Sequence, residues 1–271
     1  ARLTSAEIQY SSESMMVPSR SQRTASGAVG EYDDTTVNST VASSLRLGVN
    51  RATEEVHLPA FEAFGGRILV VAFEGWNDAS QSASGAIDHL LQTWESNELA
   101  MIDGEEYYDF QVNRPQVRLT EDGARELDWP TTKVYEVSAP HLKSDFLIVR
   151  GVEPSMRWQT FVRELLDLAD DYEVSAIITF GALLADAPHT RPIPVMVTAN
   201  TPEVAKRYNV VTSRYEGPTG IIGALHDGAT QREIDAISMW ASVPHYVSSP
   251  PCPKATLALI ESLEDFLDLS I

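Results

Sequence analysis

The chain is poor in cysteine, in lysine and in long apolar runs. It has a single cysteine, Cys252, among 271 residues. One cysteine cannot form an internal disulfide, and no Cys/His cluster has zinc-ligand spacing, so the sequence predicts neither a disulfide framework nor a metal site. The longest clean apolar run, residues 68–73, is far shorter than the roughly 20 residues of a membrane-spanning helix. Residues 1–10 show no apolar signal segment, so we expect a cytoplasmic protein.

Basic residues are about half as frequent as acidic ones. The chain has 20 Lys and Arg against 39 Asp and Glu, which gives a formal net charge of −19. Such a chain repels phosphate backbones and anionic membranes at long range, and the densest basic cluster is only Lys206–Arg207. The composition therefore argues against nucleic acid and membrane as partners, and the acidic residues are typical of a solvated surface.

The composition also changes along the chain. Residues 1–56 are rich in serine and threonine, contain no lysine and lack sustained apolar periodicity, so we expect a polar N-terminal arm. Residues 57–271 are expected to form one α/β domain, because strand-like runs alternate with amphipathic helices. The predicted fold is a three-layer α/β/α arrangement around a largely parallel sheet.

The first predicted elements are a buried strand at residues 68–73 and a helix with apolar residues from Ala83 to Trp94. Asp78 is placed to cap this helix, and Gln81 would complete a capping box. A β-hairpin insertion is predicted at about residues 105–138, with a turn at residues 121–123. Its strand-like pieces are residues 107–112, 117–119 and 133–137. The remaining predicted elements are strands at 145–150, 174–180, 194–199 and 238–243 and helices at 158–168, 203–208, 231–237 and 255–267.

In such sheets ligands bind beyond the carboxyl ends of the strands, so the loops there are the places to search. The first such loop brings Glu74, Trp76, Asn77 and Asp78 to a helix N-terminus, where a ligand could stack on the indole ring. In the alternative interpretation Trp76 belongs to the core and Asp78 is only a helix cap.

Two further loops carry candidate ligand-binding residues. Residues 188–192 place His189 and Arg191 between two prolines, and a guanidinium fork suits a carboxylate or phosphate. Alternatively, Arg191 pairs with a nearby carboxylate and His189 bonds to the backbone. Tyr215 opens a glycine-rich turn in which Thr219 and backbone N–H groups could face an anion, or which is simply a structural turn.

The candidates for catalysis are incomplete. Glu153, with Glu74 and Asp78, is a candidate acid, and His189 and His245 are candidate bases. A histidine at a strand end is, however, often structural. Nothing in the spacing assigns a nucleophile, so the sequence indicates a site without indicating a reaction, and no cofactor motif is present.

Several blocks of sequence, in this order, resemble the PAC2 family, which is named for a proteasome assembly chaperone. The chain is most similar to the actinobacterial branch of that family, and the resemblance covers about Arg67 to Leu267. The blocks are residues 73–79 (FEGWNDA), 108–110 (YDF), 113–115 (NRP), 151–158 (GVEPSMRW), 181–194 (GALLADAPHTRPIP), 215–221 (YEGPTGI) and 243–247 (VPHYV).

The resemblance implies a phosphorylase-like core, a hairpin used in oligomer contacts, self-association as a trimer and a C-terminal helical lid. It predicts a non-catalytic assembly or adaptor protein without a cofactor, whose partner is a second copy, a paralogue or another protein. Such a protein could also hold a small ligand. The alternative is an enzyme of the nucleoside phosphorylase or hydrolase type. Arg191 and Thr219 would then hold an anion, Trp76 would stack on a ring, and His189 or His245 would be the acid/base group.

Overall fold

The computed structural model describes residues 66–138, 146–269 and 271. The N-terminal arm expected at residues 1–56 lies outside these described residues, as do residues 57–65 of the expected domain and Asp145, which was placed at the start of a strand.

The strands and helices alternate along the described chain. The strands are β1 Arg67–Glu74, β2 Glu95–Ile102, β3 Gln116–Leu119, β4 Arg125–Asp128, β5 Thr132–Ser138, β6 Phe146–Val152, β7 Val174–Ala185, β8 Val195–Ala199, β9 Val211–Thr212 and β10 Asp235–Pro244. The helices are α1 Ser82–Thr93, α2 Trp158–Asp171, α3 Pro202–Arg207, α4 Ile221–Gln231 and α5 Pro253–Leu267. Within the ranges that the structure describes, no helix combines the length and apolar character needed to cross a bilayer.

Eight strands form the main sheet in the order β2-β5-β6-β1-β7-β10-β8-β9, and β3 pairs with β4 in a separate ribbon. The four central strands, β6, β1, β7 and β10, run parallel to one another. The outer strands β8 and β5 pair antiparallel to the central block. This arrangement confirms the predicted largely parallel α/β sheet.

β1 shows why three layers form. Its side chains alternate between the two faces of the sheet, and both faces are covered, so the strand is apolar throughout. Ile68, Val70 and Ala72 pack into the core under α1 and α5. Leu69, Val71 and Phe73 pack into the opposite core under α2 and α4. The sheet is therefore enclosed by helices on both sides, as the sequence predicted.

The predicted helix at residues 231–237 is wrong. The helix lies one segment earlier, at Ile221–Gln231, and Asp235 already begins β10. β10 is buried along most of its length, so its apolar residues do not alternate with polar ones. A short continuous apolar run cannot be distinguished from a buried helix by periodicity alone, which explains the error.

The insertion differs in detail from the prediction. A hairpin is present, with the turn at Gly123 between β3 and β4. Residues 107–112 form turns instead of a strand. The segment predicted at 133–137 is β5, which pairs with β6 and with the unpredicted strand β2 inside the main sheet. Only the outer part of the insertion therefore leaves the body of the protein.

Candidate functional site

A cavity of about 880 Å³, called here the strand-end cavity, opens where the sequence analysis expected a ligand. It is formed by the loop after β1, the outer parts of β7 and β10, the end of β8, the turn at residues 217–220 and one side of α4. These segments meet because the carboxyl ends of parallel strands share one edge of the sheet.

Four of the seven predicted ligand-binding residues line this cavity, namely Trp76, Asn77, Tyr215 and Thr219. The Trp76 side chain is 64% exposed, so the alternative that placed it in the core is wrong. Glu74, Asp78 and Arg191 are not among the lining residues.

The loop after β1 is held in place by backbone contacts. Gly75 has φ +124°, a conformation that residues with a side chain rarely adopt, and its carbonyl accepts a hydrogen bond from Asp78 N at 3.1 Å. The Asn77 carbonyl accepts from Ala182 N on β7 at 2.8 Å. These bonds bury Asn77 while leaving Trp76 at the mouth of the cavity.

Glu153 is a structural acceptor in this arrangement. Its Oε1 accepts a hydrogen bond from Ile221 N, at the start of α4, at 2.8 Å. The same oxygen accepts from Asn77 Nδ2 at 2.9 Å. A carboxylate is stabilised at a helix N-terminus by the free N–H groups and the helix dipole, so Glu153 supplies the anion that this end attracts.

Gly220, just before α4, fits between these groups because it has no side chain. A Cβ at this position would lie 2.3 Å from Asn77 Nδ2 and 2.7 Å from Glu153 Oε1. The turn that precedes it is closed by the Tyr215 hydroxyl, which donates to the Pro218 carbonyl at 2.8 Å. The glycines of this motif therefore serve a tight structural turn around Glu153.

His226 lines the cavity from α4 and was not predicted from the sequence. The residue is only 6% exposed, and its Nε2 lies 2.9 Å from Thr179 Oγ1. Burial lowers the pKa of this imidazole to about 4, so the ring is neutral at pH 7. A correct prediction of α4 would have pointed to this residue, because it places a histidine on a helix next to the strand ends.

Asn200, at the end of β8, was also missed. Its Nδ2 donates to the His226 carbonyl at 3.0 Å and to Thr230 Oγ1. Below it, the hydroxyls of Thr198 and Ser238 lie 3.3 Å apart across β8 and β10. The polar part of the cavity is therefore built from amides, hydroxyls, one neutral imidazole and the carboxylate of Asp227.

Comparisons with known proteins place this site in a family. A model of the PAC2 family matches residues 72–271. A PAC2 family protein from Streptomyces avermitilis has 48% identity, covering 76% of this chain and 87% of its own, with a TM-score of 0.72. A proteasome-assembly chaperone homologue from Mycobacterium tuberculosis has 46% identity, covering 75% and 86%, with a TM-score of 0.69. The chain belongs to the PAC2 family.

The PAC2 fold extends to distant proteins. An archaeal proteasome activator from Pyrococcus furiosus has 18% identity, covering 76% of this chain and 85% of its own, with a TM-score of 0.59. At that identity the likeness concerns the fold alone. A comparison with curated proteins finds no match.

Two acidic residues of the PAC2 block at 73–79 have structural partners. Glu74 Oε1 lies 2.5 Å from Arg150 Nη2, and Arg150 Nε also donates to Asp88 at 2.8 Å. Asp78 Oδ1 accepts from Ala83 N at 2.7 Å, so Asp78 caps α1 as predicted. Gln81 makes no capping hydrogen bond, so the predicted capping box is wrong. Burial raises the pKa of the Asp78 carboxyl.

Four residues of the PAC2 blocks at 181–194 and 243–247 form a separate cluster outside the cavity lining, namely His189, Arg191, His245 and Tyr246. The Tyr246 hydroxyl accepts from His189 N at 2.8 Å and lies 3.0 Å from His189 Nδ1. His245 packs edge-on against Tyr246. Lys254 Nζ donates to the His189 carbonyl at 2.7 Å and to the Arg191 carbonyl at 2.5 Å. His189, His245 and Arg191 thus share one exposed loop region, apart from Trp76 and Thr219.

The candidate acid and base residues predicted from the sequence do not meet at the cavity of this PAC2 domain. Neither candidate base lines the cavity. Glu153 is held as a helix cap. Among the described residues, no three His, Cys, Asp or Glu side chains lie where they could hold a metal ion.

Proposed function

We propose that this PAC2 protein is a non-catalytic, chaperone-like assembly factor that self-associates and binds a small ligand in the strand-end cavity. The assembly role is supported by its relative from Mycobacterium tuberculosis, which is described as a proteasome-assembly chaperone homologue and is 46% identical. Self-association is supported by the hairpin, and ligand binding by the cavity.

One observation carries the proposal: the β3–β4 hairpin has an uncovered apolar face. Val117 lies opposite Leu127 across the hairpin, and Leu119 lies two residues along on the same face, where it is paired with Arg125. The three apolar residues, called here the hairpin face, are between 51% and 73% exposed. The opposite face carries Arg118 and Asp128, which form an ion pair at 3.5 Å.

Such a ribbon needs a partner surface. A two-stranded hairpin is only marginally stable by itself in water, and contiguous exposed apolar residues mark interaction sites. A second copy of this chain is the partner that fits, because the same apolar residues of each subunit can meet around the symmetry axis of a closed oligomer. We expect a homo-oligomer, with the trimer implied by the family resemblance as its form.

The positions of the candidate catalytic residues support a non-catalytic role. Glu153 contacts Ile221 N and Asn77 Nδ2. His189 and His245 lie with Tyr246 in the exposed cluster. A nucleophile, a base and an orienting group must lie within hydrogen-bond reach of one another to catalyse group transfer, and these three residues do not converge on the cavity.

The test uses two neighbouring residues that point to opposite faces of β4. Leu127→Lys places a charge on the hairpin face, whereas Glu126→Lys places the same side chain on the polar face as a matched control. Light scattering after size-exclusion chromatography reports the subunit number of each. We expect an oligomer for the unmodified chain and for Glu126→Lys, and smaller species for Leu127→Lys with unchanged circular dichroism.

An unchanged oligomer in Leu127→Lys would show that the hairpin face is not the contact. A monomer for the unmodified chain would contradict self-association, and a paralogue or another protein would then remain as the partner to test by native mass spectrometry.

A further inference from the structure

The charges around the strand-end cavity indicate what kind of ligand it takes. None of its described lining residues is a lysine or an arginine, and Asp227 is the one acidic residue among them. The chain as a whole carries a net charge of −19. An anionic ligand would therefore approach against an unfavourable field and would meet no cation inside.

The helix N-terminus that would ordinarily attract an anion already binds a carboxylate of the chain. The N-terminus of α4 faces this region, and its Ile221 N–H donates to Glu153 Oε1 at 2.8 Å. A phosphate placed at this helix end would compete with a carboxylate of the chain itself.

The asparagines present oxygen acceptors. Asn77 Nδ2 donates to Glu153, and Asn200 Nδ2 donates to the His226 carbonyl and to Thr230. No described residue donates to Oδ1 of either side chain, and Asn77, which is 2% exposed, and Asn200 are both among the residues that line the cavity. Both amides therefore keep an acceptor for a ligand N–H.

His226 adds a third acceptor. We place the ring proton of His226 on Nε2, the tautomer in which Thr179 Oγ1, 2.9 Å away, accepts from this N–H and donates to the Ile237 carbonyl at 3.4 Å. A neutral ring with its proton on Nε2 has an acceptor at Nδ1, and no described residue donates to that atom. Burial keeps this ring neutral, since its pKa is lowered to about 4.

Flat aromatic surfaces complete the site. The Trp240 ring lies against Gly181, where a Cβ would come within 2.6 Å of ring atoms, so the position of the indole is fixed by the glycine. Trp76 and Tyr215 stand at the mouth and are 64% and 67% exposed. Such rings bind planar ligands by stacking.

We propose that the strand-end cavity binds a nitrogen heterocycle without a negative charge, stacked on its aromatic rings and donating N–H groups to His226 Nδ1 and to the oxygens of Asn77 and Asn200. The inference rests on the ligand-binding part of the proposed function and names the class of ligand. The strand-end cavity has a volume of about 880 Å³, which accommodates a molecule of nucleoside size.

The test uses the full chain and isothermal titration calorimetry with four nucleosides, adenosine, guanosine, cytidine and uridine, each paired with its 5′-monophosphate. The pairs share the heterocycle and differ in charge. We expect at least one nucleoside to bind, and its monophosphate to bind at least about tenfold more weakly. The His226→Leu variant should bind the nucleoside at least about tenfold more weakly than the unmodified chain. The His226→Gln variant keeps an acceptor and should retain more affinity.

Glu153→Gln gives a second, opposite readout. Removing this carboxylate should reduce the difference in binding affinity between a nucleoside and its monophosphate. Circular dichroism is the control for folding. Tighter binding of a monophosphate than of its nucleoside would overturn the inference and leave the proposed function standing. No binding by any of the eight probes, or by inorganic phosphate, acetate and methylamine, would overturn the inference together with the ligand-binding part of that function. Methylamine binding more tightly than every nucleoside would overturn the inference alone.

Discussion

The strand-end cavity and the hairpin face both present apolar side chains to solvent, but they differ in how much surrounding structure holds those residues in place. Around the cavity, Gly220 and Gly181 leave no space for a side chain, and the amide nitrogens of Asn77 and Asn200 donate to protein acceptors. On the hairpin face, Val117, Leu119 and Leu127 lie on a two-stranded ribbon, and a Cβ added at the turn glycine would have no atom within 4 Å. The fold completes the first surface by itself, whereas we propose that a second copy of the chain covers the other.

Acidification should give the largest effect, and in the cavity it acts through the buried imidazole of His226. The pKa of His226 is lowered by burial from 6.5 to about 4, so the native state binds fewer protons than the unfolded chain between these values. Stability should therefore fall as the pH drops from 6.5 towards 4, by about 3 kcal/mol from this group.

Urea unfolding of the unmodified chain and of His226→Gln across this pH range measures the contribution. The glutamine variant should lose less stability on acidification. Equal losses in both proteins would contradict the assigned role of the buried imidazole.

A glycine-to-alanine exchange in each region should separate the two kinds of surface. Gly220→Ala places a Cβ 2.3 Å from Asn77 Nδ2 and should cost about 2 kcal/mol through overpacking. Gly123→Ala meets no atom within 4 Å, and its φ of +81° should cost about 1 kcal/mol through conformation alone. Thermal unfolding reports both values, and a larger loss for Gly123→Ala would reverse the comparison.

The cap of α1 should contribute less. Asp78→Ala removes the acceptor of the Ala83 and Ser84 N–H groups and should cost about 1 kcal/mol. Asp78→Asn is the matched control, because it keeps one acceptor oxygen in place and removes a buried charge. Urea unfolding at pH 7 should show a higher free energy of unfolding for Asp78→Asn than for Asp78→Ala. An equal loss of stability in both variants would indicate that the charge of Asp78, and not its capping hydrogen bond, stabilises the fold.

The smallest effect belongs to the polar side of the hairpin. The Arg118–Asp128 ion pair spans 3.5 Å between side chains that are more than half exposed. Arg118→Ala should change stability by about 0.5 kcal/mol or less, and added salt should remove the difference. A loss above about 1 kcal/mol would show that this face, too, packs against a partner.

The elements with strong local signals could be predicted from the sequence. β1 is a continuous β-branched and apolar run between polar residues, and it lies where expected. The loop after it places Trp76 and Asn77 at the cavity, because the end of a central parallel strand has only one location in such a sheet.

The rest depends on contacts between distant segments. His226 was missed because the buried strand β10 resembles a helix in its pattern, which displaced the predicted helix away from residue 226. Arg191 does not reach the cavity because β7 continues to Ala185, five residues past the predicted end at Phe180, and carries the following loop outwards. The acceptor role of Glu153 requires Asn77 and Ile221, 76 and 68 residues away in sequence.

The central claim is that this PAC2 protein works as an assembly of subunits joined through the hairpin face, with a ligand in each strand-end cavity. Native mass spectrometry of the purified chain tests this most directly, because one spectrum reports both subunit number and retained small molecules. The account predicts a multiple of the subunit mass, reduced to single subunits by Leu127→Lys but not by Glu126→Lys. A single subunit for the unmodified chain, or the same multiple in all three proteins, would contradict it.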